Sequence, residues 1–351
     1  MRLFSFKSLV YLTFLFSLFV IALGAYTRLT EAGLGCPDWP GCYGFAAVPQ
    51  AGLQQLLAEA AFPGHPVEVE KAWNEMVHRY FAGTLGLLIL IINIVAWYRR
   101  DTPRVLPALL LGTVIFQAVL GMWTVTLALM PVVVMGHLLG GFTTAALLLL
   151  LALTIRRREA GSGSAYYLPS TGHNYNGIAW LAALALMITV GQVALGGWTA
   201  ANYAAVVCTQ FPFCEVDWQQ QFDLSAFSPI QPEHDSYQYG VLNFSQRVSI
   251  HVTHRLGALV VTGMLAMLIW HLWKFVALRR LGVIIGGLLL LQLGLGITNI
   301  VASLPLLVAV GHNLVGALLL LALVATNYHL YCCRAENRSY WNIAREGKNH
   351  G

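Results

Sequence analysis

The chain has 351 residues, 58% of them hydrophobic and only 10% charged, with a net charge of +5 and a mean hydropathy of +0.67. These values exclude an ordinary soluble domain and indicate an all-α polytopic membrane protein. They leave no reason to invoke nucleic acid, because the basic excess has a simpler use in setting topology.

A helical span needs roughly 20 apolar residues, and eight stretches qualify: about 8–28, 72–98, 105–127, 131–155, 177–200, 245–273, 281–302 and 305–333. The first could be a cleaved leader, since it follows Arg2 and Lys7, but it lacks a clean small-x-small cleavage site and the repeat described below needs it as a helix. Fifteen of the 20 Lys and Arg residues fall on one side of an eight-span arrangement: Arg2, Lys7, Arg99, Arg100, Arg104, Arg156, Arg157, Arg158, Lys274, Arg279, Arg280, Arg334, Arg338, Arg345 and Lys348. That bias marks the cytoplasmic side and puts both termini there, as expected for a multi-pass protein of the plasma (inner) membrane.

The two long loops, about 29–71 and 201–244, then face outward. Each carries a C-x5-C pair, Cys36 and Cys42 in GLGCPDWPGC and Cys208 and Cys214 in VVCTQFPFC. In an oxidising compartment such pairs can form disulfides, either as staples for a turn or as labile redox pairs. Cys332 and Cys333, at the inner end of the last span, read as free thiols.

An internal repeat organises the chain. Thr27 aligns with Thr199, Cys36 with Cys208 and Cys42 with Cys214, all at an offset of 172; His78 aligns with His254 at 176; Gln117 with Gln292 and His137 with His312 at 175. The chain therefore reads as two tandem four-helix halves of the same orientation, 1–160 and 174–335, with a cytoplasmic tail at 336–351. A finer unit lies beneath. Odd spans end outside in LGAYT (23–27), LGMWT (120–124), LGGWT (195–199) and LGITN (295–299), and even spans carry HRYFAG, HLLGG, HRLGA and HNLVG. One helical hairpin used four times gives this pattern, and the LG segments suit close helix packing.

His78, His137, His254 and His312 each lie six or seven residues after Lys71, Pro131, Arg247 and Pro305, roughly 10 Å below the helix start at about 1.5 Å per residue. A lone membrane histidine is commonly a polar packing residue. Four at matched depth, paired two to a half amid small and apolar neighbours, suit axial ligation of one porphyrin per half better than a zinc or copper site, which would favour further Cys, His or carboxylate ligands. Arg79 and Arg255, beside two of them, are candidates to meet heme propionates or to snorkel outward. Three residues before His78 stands Glu75; three before His254 stands His251, whose role the residues leave open. A buried carboxylate can act as acid, base or stabiliser of positive charge, and its presence in one half only suggests that one heme is worked on while the other serves. The remaining histidines, His65, His173, His234, His271, His329 and His350, read as structural or solvated.

Together these residues resemble the heme A synthase family. Glu75-Met76-Val77-His78-Arg79 carries its E-x-x-H-R pattern, His254-Arg255 the second His-Arg, His137 in MGHLLGG and His312 in VGHNLVG the other histidines, and GLGCPDWPGC the cysteine-bearing first outward loop of bacterial members. The resemblance implies two tandem four-helix bundles and oxidation of a porphyrin methyl of heme O to the formyl of heme A. It implies a permanent heme b on His254 and His312 and a heme O site framed by His78 and His137, with Glu75 beside the substrate and the Cys36–Cys42 pair near it. Implied partners are the heme O substrate, a heme O synthase, a membrane electron acceptor and the bilayer. Cys208 and Cys214 depart from some members and read as a second staple. A diheme b-type electron carrier would also explain four histidines but not Glu75 in one half only; a transporter of parallel repeats would expect broken helices and polar groups near the midplane.

Overall fold

The computed structural model describes residues 5–50, 52–99, 102–160 and 175–349, with side-chain detail to Arg334 at the C-terminal end. Arg2, Arg100, His173, His350 and the segment expected to link the halves lie outside the described residues. Among the described residues nine α-helices follow in order: α1 (Phe6–Leu29), α2 (Leu53–Ala61), α3 (Val69–Tyr98), α4 (Val105–Thr126), α5 (Pro131–Ala160), α6 (Asn176–Ala201), α7 (Phe244–Trp273), α8 (Arg279–Val301) and α9 (Leu306–Asn349). All except α2 are long and apolar enough to cross a membrane, which makes this a multi-pass membrane protein. No strand occurs among the described residues, only an isolated bridge between Cys42 and Phe45. The tail expected after residue 335 continues α9 as helix to Asn349.

The helices form two rings. In the first, α1 packs on α3, α3 on α4, α4 on α5 and α5 on α1; in the second, α6 packs on α7, α7 on α8, α8 on α9 and α9 on α6. In each ring the two histidine-bearing helices, α3 and α5 or α7 and α9, are therefore diagonal to one another. The rings join through α1, α5, α6 and α9. At the outer end Arg28 donates to the Tyr203 hydroxyl (2.6 Å) and to the Ala200 carbonyl (3.0 Å), tying the end of α1 to that of α6.

The hairpin unit recurs in the backbone. Each odd span stops in the same helix-terminating motif, a residue at positive φ followed by an N–H that reaches back five residues. The bonds are Ala32 to Thr27 (3.0 Å), Leu129 to Thr124 (2.8 Å), Ala204 to Thr199 (2.9 Å) and Leu304 to Asn299 (2.8 Å). The acceptors are the final residues of the four LG segments. The left-handed positions are Glu31, Ala128, Tyr203 and Ser303, none of them glycine.

Packing differs along each ring. The apolar core fills the end away from the histidines, with Ile89, Ile92, Leu148 and Leu151 in the first ring and Leu265, Leu268, Ile285 and Leu323 in the second, all fully buried. Burying each such side chain contributes about 1.5–3 kcal/mol, so each bundle is anchored solidly at one end and hollow at the other. Lys7 of α1 pairs with Glu159 of α5 (2.5 Å) at the solid end. The outer loops cap the hollow end. Both cysteine pairs are closed, Cys36–Cys42 and Cys208–Cys214. The first loop also contains α2, a short amphipathic helix not apparent as a span because it is only nine residues long.

Candidate functional site

The hollow ends merge into one cavity of about 2330 Å³, lined by all eight spanning helices and both outer loops. This exceeds the ~300–1,000 Å³ of a usual small-molecule site more than twofold. His78, His137, His254 and His312 all stand on its wall, as do Glu75, Arg79, His251 and Arg255. The sequence-predicted residues are thus brought together on one cavity wall, two imidazoles on diagonal helices of each ring.

The LG segments explain how the imidazoles fit. Each histidine ring packs on the glycine of the preceding odd span. A Cβ placed on Gly24 would lie 2.9 Å from His78 Cε1; on Gly121, 3.4 Å from His137 Cε1; on Gly196, 3.2 Å from His254 Cε1; and on Gly296, 3.1 Å from His312 Cε1. A side chain there would push the ring across the slot. The glycine is a notch for an imidazole, a pairing that sequence reading assigned only to helix packing.

Glu75 is 5% exposed and has both oxygens engaged, one with the Arg79 guanidinium (2.5 Å) and the other with the Cys36 backbone N–H (2.9 Å). Its counterpart His251 is equally buried, and its Nδ1 meets the Ala204 carbonyl at 2.7 Å. Each residue therefore fastens the start of an outer loop to a helix, one through a carboxylate and the other through a neutral donor.

The two arginines hold the disulfide rings. Arg79 donates to the carbonyls of Asp38 (2.8 Å), Pro40 (3.3 Å) and Gly41; Arg255 donates to those of Cys208 (2.8 Å) and Gln210 (3.0 Å). Arg255 Nε remains buried without a partner. A carboxylate clasps each ring, Asp38 from inside the first and Glu215 from just beyond the second. Asp38 accepts from the N–H groups of Tyr43 (2.6 Å) and Gly44 (2.7 Å), and Glu215 accepts from the Thr209 N–H (2.9 Å). The Thr209 N–H is the main cause that pulls the Glu215 carboxyl down to about 2.

The cavity suits a porphyrin held by histidine. The Nδ1 atoms of His78, His137 and His312 are buried with no hydrogen-bond partner, a costly state unless the ring is used. The surrounding wall is largely apolar, and each imidazole faces another across the bundle. Among the described residues the only cluster of three His, Cys or acidic donors is Cys208, Cys214 and Glu215, and its sulfurs are tied in the disulfide. The cysteines outside the two disulfides lie elsewhere: Cys332 and Cys333 are buried at the solid end, where Arg157 reaches the Cys332 sulfur at 2.7 Å.

The family model for cytochrome oxidase assembly proteins of the COX15-CtaA type matches residues 7–324. A heme A synthase of Shewanella oneidensis is 47% identical over 324 residues, covering 92% of this chain and 96% of that protein. A heme A synthase of Rhizorhabdus wittichii is 27% identical over 89% of this chain and 90% of its own length. One from Shouchella clausii is 24% identical over 82% and 83%.

Proposed function

The chain belongs to the COX15-CtaA family of cytochrome oxidase assembly proteins, and we propose that within it the protein acts as a heme A synthase, a membrane oxidoreductase that converts heme O to heme A. The observation that carries this reading is the pair of notched imidazoles on diagonal helices of each bundle, joined in the first bundle alone by a buried carboxylate one turn away. A diheme carrier would need neither the carboxylate nor its asymmetry.

In this reading the second bundle keeps a resident heme b between His254 and His312, with Arg255 Nε available to a propionate. The first bundle receives heme O between His78 and His137. Arg79 lines the same site, and its guanidinium first fixes Glu75 and the loop carbonyls. The resident heme, when bound, supplies a route for electrons. Written with water as the oxygen donor, conversion of a methyl to a formyl group releases four protons and four electrons, which a membrane electron acceptor would take. The protein's own groups supply position and proton handling. The imidazoles fix the substrate plane, the first loop closes over it and keeps bulk water out, and Glu75, held by Arg79 and Cys36, is placed to accept a proton or to balance positive charge at the reacting carbon. Heme O synthase is the natural donor of so apolar a substrate. The Lys and Arg bias supports a cytoplasmic side for both termini, with the cavity opening at the outer face of the plasma membrane.

The test is production of the protein in cells that make heme O but lack heme A, followed by pigment extraction. Heme A together with protoheme is expected; protoheme alone, with heme O left unconverted, would rule the activity out.

A further inference from the structure

Gln192 of α6 points its amide at the histidine of its own hairpin. Its Nε2 lies 3.1 Å from His254 Nδ1 and 2.9 Å from the His254 carbonyl oxygen. Anchored at the same time by the His254 carbonyl, the amide fixes the orientation of the imidazole from its Nδ1 edge. Room for it comes from Gly257, three residues after His254, where a Cβ would overlap the Gln192 side-chain oxygen.

The contact between a glutamine amide and a glycine about one turn after the histidine recurs in two more hairpins. The Gln117 amide presses on Gly140, three residues after His137. The Gln292 amide lies against Gly316 (3.3 Å from a Cβ built there), with its Nε2 3.2 Å from His312 Nε2. Gln192 alone reaches a histidine Nδ1, since the Gln117 Nε2 is buried without a partner, and only the His78 hairpin has neither the glutamine nor the glycine. The 172-residue offset puts Val20 where Gln192 stands, and the 176-residue offset puts Phe81 where Gly257 stands. Val20 is buried, and Phe81 packs its ring on Phe16 (5.8 Å) and Phe19 (5.1 Å). Helix α1 carries no amide side chain at all, and His78 Nδ1 has no partner.

We propose that Gln192 is a positioning residue that locks the His254 imidazole for permanent ligation, and that the missing glutamine in the first hairpin makes His78 the releasable ligand of the substrate site. The inference rests on the heme-binding reading above. A group that orients a ligating histidine commonly changes metal retention 10–100-fold. A resident cofactor benefits from such a lock, whereas a substrate heme must leave once converted, and it leaves most readily from the histidine whose hairpin carries no glutamine.

The experiment uses the full-length protein purified with its hemes, and follows the low-spin spectrum and heme transfer to apomyoglobin. Gln192→Leu should alter the spectrum of the resident heme and speed its loss by about 10–100-fold. Gly257→Ala, which leaves Gln192 in the chain but displaces its amide, should do the same. Val20→Gln combined with Phe81→Gly should slow heme release from the first bundle by about tenfold or more. Wild-type spectra and loss rates in both second-bundle variants would overturn the role of Gln192, and unchanged release from the double variant would overturn that of His78. His254→Ala separates the two readings. If it strips the resident heme while the Gln192 and Gly257 variants are silent, only the positioning role fails; if it leaves that heme bound and unaltered, the heme assignment itself fails.

Discussion

Gly24 lies directly beneath the imidazole of His78, so close that a Cβ there would come within 2.9 Å of Cε1. The same contact at Gly121, Gly196 and Gly296 makes the notch a property of the hairpin. Gly24→Val should displace His78 and reduce heme A formation at least tenfold while leaving the resident heme spectrum intact. Overpacking of this kind costs about 1–3 kcal/mol. Gly86→Ala is the control. Nothing lies within 4 Å of a Cβ at that position, and the change should be neutral or stabilising by about 0.5–1 kcal/mol. Equal effects of the two substitutions on turnover would refute the notch.

Glu75 serves both structure and chemistry, and Glu75→Gln divides the two. A glutamine oxygen still accepts from the Cys36 N–H but can neither pair ionically with Arg79 nor take a proton. Heme A output should fall by about 10²–10⁴-fold, the range for loss of a general acid–base group, with the second-bundle heme unaffected. Output within a few fold of wild type would confine Glu75 to holding the loop.

The arginines are predicted to act through the disulfide rings. Arg79→Lys keeps the charge but loses the planar fork that reaches Glu75 and three loop carbonyls at once. Hydrogen exchange of residues 36–45 should rise, corresponding to a local loss of about 1.5–3 kcal/mol, the usual worth of a hydrogen bond to a charged group. Protection equal to wild type would show that the disulfide alone holds the loop.

A pH response should appear in the second loop. The Glu215 carboxyl sits near 2 in the folded loop, below its unfolded value of about 4.5, so its clasp on Thr209 is fully present above that value and is lost as pH falls through about 2. Amide exchange at Thr209, corrected for the intrinsic pH dependence, should be unchanged from pH 7 to 5 and should rise on acidification below about 4. Glu215→Gln should abolish that rise; an identical rise in the variant would assign it elsewhere.

Much of this molecule is legible in its residues. The spans are unbroken apolar runs, and the structure places their ends within a few residues of expectation, because a bilayer leaves the backbone no alternative to helix. The four histidines stand out because offsets of 176 and 175 pair them, His78 with His254 and His137 with His312. What escapes sequence reading depends on partners distant in the chain. Arg79 and Arg255 read as candidates to meet propionates or to snorkel outward, and what the sequence does not show is that their donors also reach loop carbonyls 38 to 47 residues away. The value of Gln192 is visible only against Val20, and that of Gly196 only beside His254. Helix α2 falls in a stretch too short to signal a span, and its fold comes from packing Ala58 against the first loop's own core.

The central claim is that each bundle grips one iron between its two diagonal imidazoles. Anomalous scattering at the iron edge from crystals of the protein loaded with heme O tests it directly. Two peaks are predicted, one between His78 and His137 and one between His254 and His312, each within bonding distance of both rings. Iron density outside both pairs, or bound to only one ring of each, would contradict it.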